Sequence, residues 1–281
     1  MNRRFAFHAW RRDIGNFALF KYRDVEGFIV SGQNSGTKWL KSMLSQAIAH
    51  HFERPPPAYT NNADSNDFIG HPRHERRYPE TPRLASTHTI AHPLVQARPV
   101  RALIRFPPYV VLVRDIRAAL VSHYEKWRED YGVDFPTFLE GDVAGGRHWA
   151  DIWWHIRFCN RWGPMVRRYP ARTLLVRYED LQQQSAIELA RIRDFLALPL
   201  GDADLAHGIA ESSKAKMAAR INPALEGGRR KHVRRDQRDP LLWYTEADKA
   251  RFQAIVADNL RWPMGYDYAD WRPTAGAKAA G

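Results

Sequence analysis

The pattern of apolar positions switches repeatedly between two periods along the chain. Residues 27–31 (Gly-Phe-Ile-Val-Ser) and 109–113 (Tyr-Val-Val-Leu-Val) are short apolar runs bounded by turn residues. The second is the clearest strand in the sequence, since strands buried on both faces of a parallel sheet read as continuous hydrophobic runs. Residues 83–87 and 173–176 predict two further strands. From Lys38 onward, Leu40, Met43, Leu44, Ala47 and Ile48 recur at helical spacing. Helices are likewise predicted over 117–127, 149–166 (rich in tryptophan), 186–196 and 246–260. Strands alternating with helices predict α/β architecture, with a central parallel sheet flanked by helices. Residues 1–272 are expected to form one domain. The Ala/Gly-rich residues 273–281 are expected to fray. Residues 53–82 lack periodicity, and a loop of that length in a compact domain is usually functional or mobile.

Composition narrows the function classes. Hydrophobic residues make up 44% of 281, enough for a core, which excludes a disordered chain. The lone Cys159 excludes a disulfide framework and a cysteine-rich zinc module. No apolar run is long enough to span a membrane. Arg3-Arg4 opens the chain like an export signal, but Arg11, Arg12 and Asp13 interrupt the apolar stretch such a signal needs. A cytoplasmic protein is expected. Lys and Arg number 43 against 31 Asp and Glu, a net charge of +12. That balance favours a polyanionic partner: nucleic acid, an anionic lipid surface touched peripherally, or a small phosphorylated ligand.

Ligands of open α/β sheets bind at the carboxyl ends of the strands, so the candidate chemistry is sought there. The first strand runs into Gly32-Gln33-Asn34-Ser35-Gly36-Thr37-Lys38-Trp39, and a helix starts at once. A glycine turn opening into a helix aims backbone N–H groups at one spot and suits a phosphate. The spacing is not that of a nucleotide-kinase P-loop. Gly32 and Gly36 are one residue too close, and Trp39 stands where a magnesium-binding hydroxyl belongs.

Further segments carry a resemblance. Arg114 ends the 109–113 strand, and Ser122 follows eight residues later in the next helix. Tyr178-Glu179-Asp180 follows a later strand, and Arg229-Arg230-Lys231-His232-Val233-Arg234-Arg235 forms a basic run near the C-terminus. In this order the segments resemble the sulfotransferases that use 3′-phosphoadenosine 5′-phosphosulfate (PAPS). The resemblance spans residues 27–236 and implies a P-loop-like fold and sulfuryl transfer to a hydroxyl or amine of a small-molecule, lipid or carbohydrate acceptor. It implies that Asn34, Ser35, Gly36, Thr37 and Lys38 hold the 5′-phosphosulfate and that Arg114 and Ser122 hold the 3′-phosphate, with Arg229, Arg230 and Lys231 closing over it. It implies that Trp39 and Tyr178 face the adenine, with Ser212 nearby, and that no metal takes part.

His88 follows the second strand, where the family places the base that takes the acceptor's proton. Imidazole suits that task, because its ordinary pKa of about 6.5 leaves it able to accept near neutrality. Two departures stand out. Ser86 replaces a family lysine, and Asn34 replaces the cation beside the bridging oxygen. Lys38 is expected to supply that catalytic charge, because a cation at a helix N-terminus is unfavourable without a nearby anion. The pairs His71/His74 and His88/His92 have metal-compatible spacing but no third ligand. Trp149, Trp153, Trp154 and Trp162 read mainly as core. Phe68, the 61–74 loop and residues 131–138 are expected to wall the acceptor site. Two other classes fit the basic, loop-containing chain: a nucleotide-dependent kinase with a degenerate loop, and a nucleic-acid-binding protein. The Arg114–Ser122 spacing at a strand end argues against both.

Overall fold

The structure is a computed structural model that describes residues 2–59, 67–73, 75, 77–221 and 238–272. Its five strands are β1 (Gly27–Ser31), β2 (Ile69–Gly70), β3 (Leu84–Thr87), β4 (Tyr109–Val113) and β5 (Thr173–Arg177). They form one sheet in the order β2-β3-β1-β4-β5, and every neighbouring pair is parallel. Val30 lies opposite both Thr87 and Val111, so β1 is central, with β3 on one side and β4 on the other. That change of side opens a crevice beyond the carboxyl end of β1.

The helices described are α1 (Arg3–Ile14), α2 (Ala18–Lys21), α3 (Thr37–His51), α4 (Arg98–Leu103), α5 (Ile116–Tyr131), α6 (Phe135–Glu140), α7 (Ile152–Arg168), α8 (Tyr178–Gln183), α9 (Ser185–Leu196), α10 (Asp202–Glu211), α11 (Lys214–Ala219) and α12 (Glu246–Asn259). Alternation along the strands divides the core into two layers. Phe28, Val30, Tyr109, Val111 and Val113 pack with residues of α1, α5, α6, α7 and α12. Ile29, Val110, Leu112 and Val176 pack with residues of α3, α9 and α10. Cys159 is buried in the first layer, where burial pushes its thiol up to about 12, too high for an ordinary reactive thiolate. No helix among the described residues is long and apolar enough to cross a membrane.

Several elements depart from expectation, each for a local reason. The tryptophan-rich helix starts at Ile152 rather than 149, because the Asp151 carboxylate caps it by accepting from the Trp154 N–H at 2.9 Å. Trp149 is therefore outside the helix and exposed, edge-on to Trp127 at 3.9 Å, rather than core. The stretch 53–82 contains the short edge strand β2. Phe68 is buried and stacked on Tyr78 at 5.1 Å, a core residue rather than an open wall. Helices α1 and α10 were not foreseen.

Candidate active site

The β1–α3 turn is built by two backbone constraints. Asn34 has φ +56° and Gly36 has φ +86°, both in the left-handed region. Asparagine tolerates that region; Gly36 is required in addition because a Cβ there would overlap the Tyr178 ring. No side chain among the described residues caps the N-terminus of α3. Its first N–H groups are the ones a helix leaves without intrahelical partners, and they face the crevice end of β1. Ser35 is buried; Thr37 stands on the first helical turn and donates its hydroxyl to Ser31 Oγ at 2.7 Å.

His88 is brought to this turn from the end of β3. Its Nδ1 lies 2.9 Å from the Ser31 carbonyl oxygen and 3.2 Å from Ser31 Oγ. A carbonyl only accepts, so Nδ1 carries the proton and Nε2 keeps the lone pair. Burial holds the His88 pKa below the ordinary histidine value. The Ser31 bond opposes that shift, and the charges of Lys41 and Lys126 add to it.

Asn34 has an unforeseen partner. Its amide Nδ2 donates to His123 Nδ1 at 2.6 Å, so His123 Nε2 carries the proton and donates to the Tyr131 hydroxyl at 2.7 Å. Tyr131 also accepts from the Trp149 N–H at 3.2 Å. This relay fixes the orientation of the Asn34 amide. Burial, reinforced by the charges of His155 and Lys126, pulls His123 down to about 3, so it is neutral. His155 is also pulled down to about 3 by burial, with His88 contributing. Its Nε2 is buried and has no hydrogen-bond partner among the described residues.

Arg114, at the end of β4, donates Nη1 to the Asn34 carbonyl at 3.2 Å, and its guanidinium lies 4.6 Å from the centre of the Tyr178 ring. Its Nε is buried with no partner among the described residues. Ser122 is half-buried on α5, adjacent to His123. In the Tyr178-Glu179-Asp180 triplet, Glu179 accepts from the Tyr266 hydroxyl at 2.5 Å and Asp180 pairs with Arg177 at 2.7 Å. Tyr178 is thereby the member turned to the loop. Trp39 meets Tyr178 edge-on at 6.0 Å and donates Nε1 to the Ser212 carbonyl at 3.0 Å. Ser212 is fully buried and shares a hydroxyl bond of 2.7 Å with Ser42, so it braces Trp39.

Lys38 is exposed on the first turn of α3. One turn later, Lys41 is the more sequestered cation, with burial pulling its ammonium down to about 8, and its charge acts on His88. Neither Lys41 nor His123 nor His155 was singled out from sequence. His123 directly follows Ser122 in sequence, but its tie to Asn34 is made only by the fold. Arg229, Arg230 and Lys231 lie outside the described residues, as does His74. Among the described residues no three His, Cys, Asp or Glu side chains are arranged to hold a metal ion. His92 accepts from the Leu94 N–H and donates to the Ile14 carbonyl, so both its ring nitrogens are engaged within the fold.

Comparison with known proteins matches residues 24–226 to the Sulfotransferase domain family. Cytosolic sulfotransferase 3 of Arabidopsis thaliana is 27% identical over 202 residues, covering 67% of this chain and 58% of that protein. Cytosolic sulfotransferase 12 of the same plant is 25% identical over 198 residues, covering 63% and 57%. The chain thus spans under two thirds of the length of these relatives. Mouse sulfotransferase SULT7A1, solved with PAP, superposes with a TM-score of 0.55 at 19% identity over 89% of this chain and 91% of that one. A retinol dehydratase solved with androsterone and PAP gives a TM-score of 0.58 at 15% identity, over 93% and 95%. At these identities the solved structures establish the shared fold.

Proposed function

The chain belongs to the sulfotransferase-domain family, and from that premise we propose that it transfers a sulfuryl group from PAPS to a hydroxyl, or an amine, of an acceptor. PAPS supplies the sulfuryl group and departs as adenosine 3′,5′-bisphosphate. The observation that carries the reading is the His88 tautomer. Nδ1–H is committed to the Ser31 carbonyl, leaving Nε2 as the base that accepts the acceptor's proton. A depressed pKa keeps that base free of a proton near neutrality.

The surrounding residues fit an adenosine bisphosphate. The buried Nε of Arg114, without a partner among the described residues, is a donor that a 3′-phosphate would complete, with Ser122 on the following helix. The uncapped N-terminus of α3, formed by Ser35, Gly36, Thr37 and Lys38, suits the 5′-phosphate. Asn34, oriented by His123, offers its second amide hydrogen to developing oxygen charge. Lys38 and Lys41 supply positive potential, and Trp39 and Tyr178 supply ring faces for adenine. Arg229, Arg230 and Lys231 are assigned to the 3′-phosphate by family resemblance alone. No metal is assigned, since a sulfuryl group carries less charge than a phosphoryl group. Tyr131 and Trp149, beside the His123 relay, are assigned to the acceptor side, where an alcohol or phenol with an apolar body suits them. The plant relatives are named cytosolic, and the same compartment is proposed here.

Calorimetric titration with adenosine 3′,5′-bisphosphate, magnesium-ATP and a DNA duplex tests the proposal. Saturable binding of the bisphosphate in preference to the other two is expected. Preference for magnesium-ATP would favour a kinase. Duplex binding that weakens steeply with salt and is indifferent to nucleotides would favour a nucleic-acid-binding protein.

A further inference from the structure

Helix α1 turns apolar residues to both sides. At about 100° per residue, Phe5, Ala9 and Asp13 fall on one flank. Phe5 is buried and packs on Trp153 at 5.1 Å, and Asp13 is buried as well. A surface helix ordinarily carries polar residues opposite such a flank. Here Phe7 (57% exposed), Trp10 (54%) and Ile14 (37%) stand there, at i, i+3 and i+7. Phe17, 52% exposed, continues the row beyond the helix and stacks on His92 at 4.8 Å. Leu94, 46% exposed, donates its N–H to that same histidine. Isolated exposed apolar residues are ordinary, but five in one row mark an interaction surface.

The row lies in a basic frame. Arg3, Arg4, Arg11 and Arg12 are all exposed on α1, and Arg4 and Arg11 flank the apolar row on one side. The helix's one acid, Asp13, is buried against Arg157 at 2.9 Å and Arg161 at 2.6 Å. Beyond Leu94, Arg168 donates to the Gln96 carbonyl at 3.1 Å. The platform is anchored, not loose. Asn2 caps α1 and its N–H donates to Asn259 Oδ1 at 2.9 Å, while Asn16 Nδ2 donates to the Ile90 carbonyl at 2.9 Å.

We propose that this face docks on an anionic lipid bilayer, with Phe7, Trp10, Ile14, Phe17 and Leu94 entering the boundary between headgroups and acyl chains and the arginines pairing with lipid phosphates. Aromatic residues beside aliphatic ones, edged by arginine, match the chemistry of that boundary. A nucleic acid would use the arginines but gains nothing from Ile14 and Leu94. A second copy docking through the same face would set arginines against arginines across a two-fold axis. The inference concerns residues to which no role in the proposed site is assigned, and it does not depend on the reaction proposed above.

Co-sedimentation of the full chain with vesicles tests it. Vesicles of phosphatidylcholine mixed equally with phosphatidylglycerol should carry the protein down, and phosphatidylcholine alone should carry far less. The paired change Phe7→Ser with Trp10→Ser should weaken binding at least about tenfold, given the transfer free energy of two aromatic side chains. Arg4→Gln and Arg11→Gln should each weaken it about fivefold, and added salt should mimic them. All four residues are exposed, so an unchanged melting temperature is expected and confirms an intact fold. The proposal is overturned if neither vesicle binds, or if the paired serine variant binds as well as the parent. It is also overturned if the face instead holds a dimer that the serine pair dissociates, or a DNA duplex that depends on the arginines alone.

Discussion

His88 is where one side chain decides most. Its Nδ1 bond to the Ser31 carbonyl sets the tautomer, so His88→Ala should leave nucleotide affinity nearly intact while lowering turnover by roughly 10²–10⁴. Its depressed pKa places the acid limb of the kcat/KM profile below about 6.5, the ordinary histidine value. Rate measurements across pH on both proteins check this; full turnover in the alanine variant would remove His88 from the mechanism. The position of His88 was legible in the sequence because its signal is local, a histidine just after a strand; its role as base is proposed. Asn34's partner was not, because His123 is 89 positions away and only the fold brings the rings and amide together. The same holds for charge. Lys38 and Lys41 differ by one turn in sequence, yet one is exposed and the other shifted to about 8 by burial, a distinction that needs the packed neighbours.

At the scale of elements, the predicted strands at 27–31 and 109–113 coincide with β1 and β4, since unbroken apolar runs report burial on both faces. The start of α12 coincides with the predicted 246, and the structure supplies the reason: Thr245 and Asp248 form a capping box. Helix α10 was hidden by Gly208, a residue that argues against a helix interior on propensity. The structure gives its reason. A Cβ at Gly208 would overlap the Met43 carbonyl, so the glycine permits the close α10–α3 crossing. Gly208→Ala therefore sets two effects against each other: about 1 kcal/mol gained from helix propensity and about 1–3 kcal/mol lost to overpacking. Packing should win, lowering the melting temperature. Because Ser212 at the end of α10 braces Trp39, nucleotide affinity should fall with it. A raised melting temperature would show that the crossing has room to spare.

Across the whole molecule, buried histidines make stability depend on pH. His123 and His155 have folded-state values of about 3, below the unfolded value of about 6.5. Folding therefore favours their neutral forms. Their contribution is complete above about pH 6.5 and is lost as pH falls toward 3, at about 1.4 kcal/mol per pH unit for each. Asp151, raised to about 6 by burial, runs the other way between about pH 4 and 6 and offsets one of them. Denaturant melts should thus show a net loss of stability from pH 6.5 down to 4, and His155→Leu should flatten that slope; no change in slope would contradict the assignment. The central claim, that the crevice between β1 and β4 reads a 3′-phosphate, is tested most directly by a calorimetric cycle. Adenosine 3′,5′-bisphosphate and adenosine 5′-monophosphate are each titrated into the parent and into Arg114→Ala. A charge-assisted hydrogen bond contributes about 1.5–3 kcal/mol, so the parent should prefer the bisphosphate and Arg114→Ala should weaken it about 10- to 150-fold while barely changing the monophosphate. Equal losses for the two ligands would make Arg114 structural, and a parent protein without preference for the bisphosphate would contradict the account.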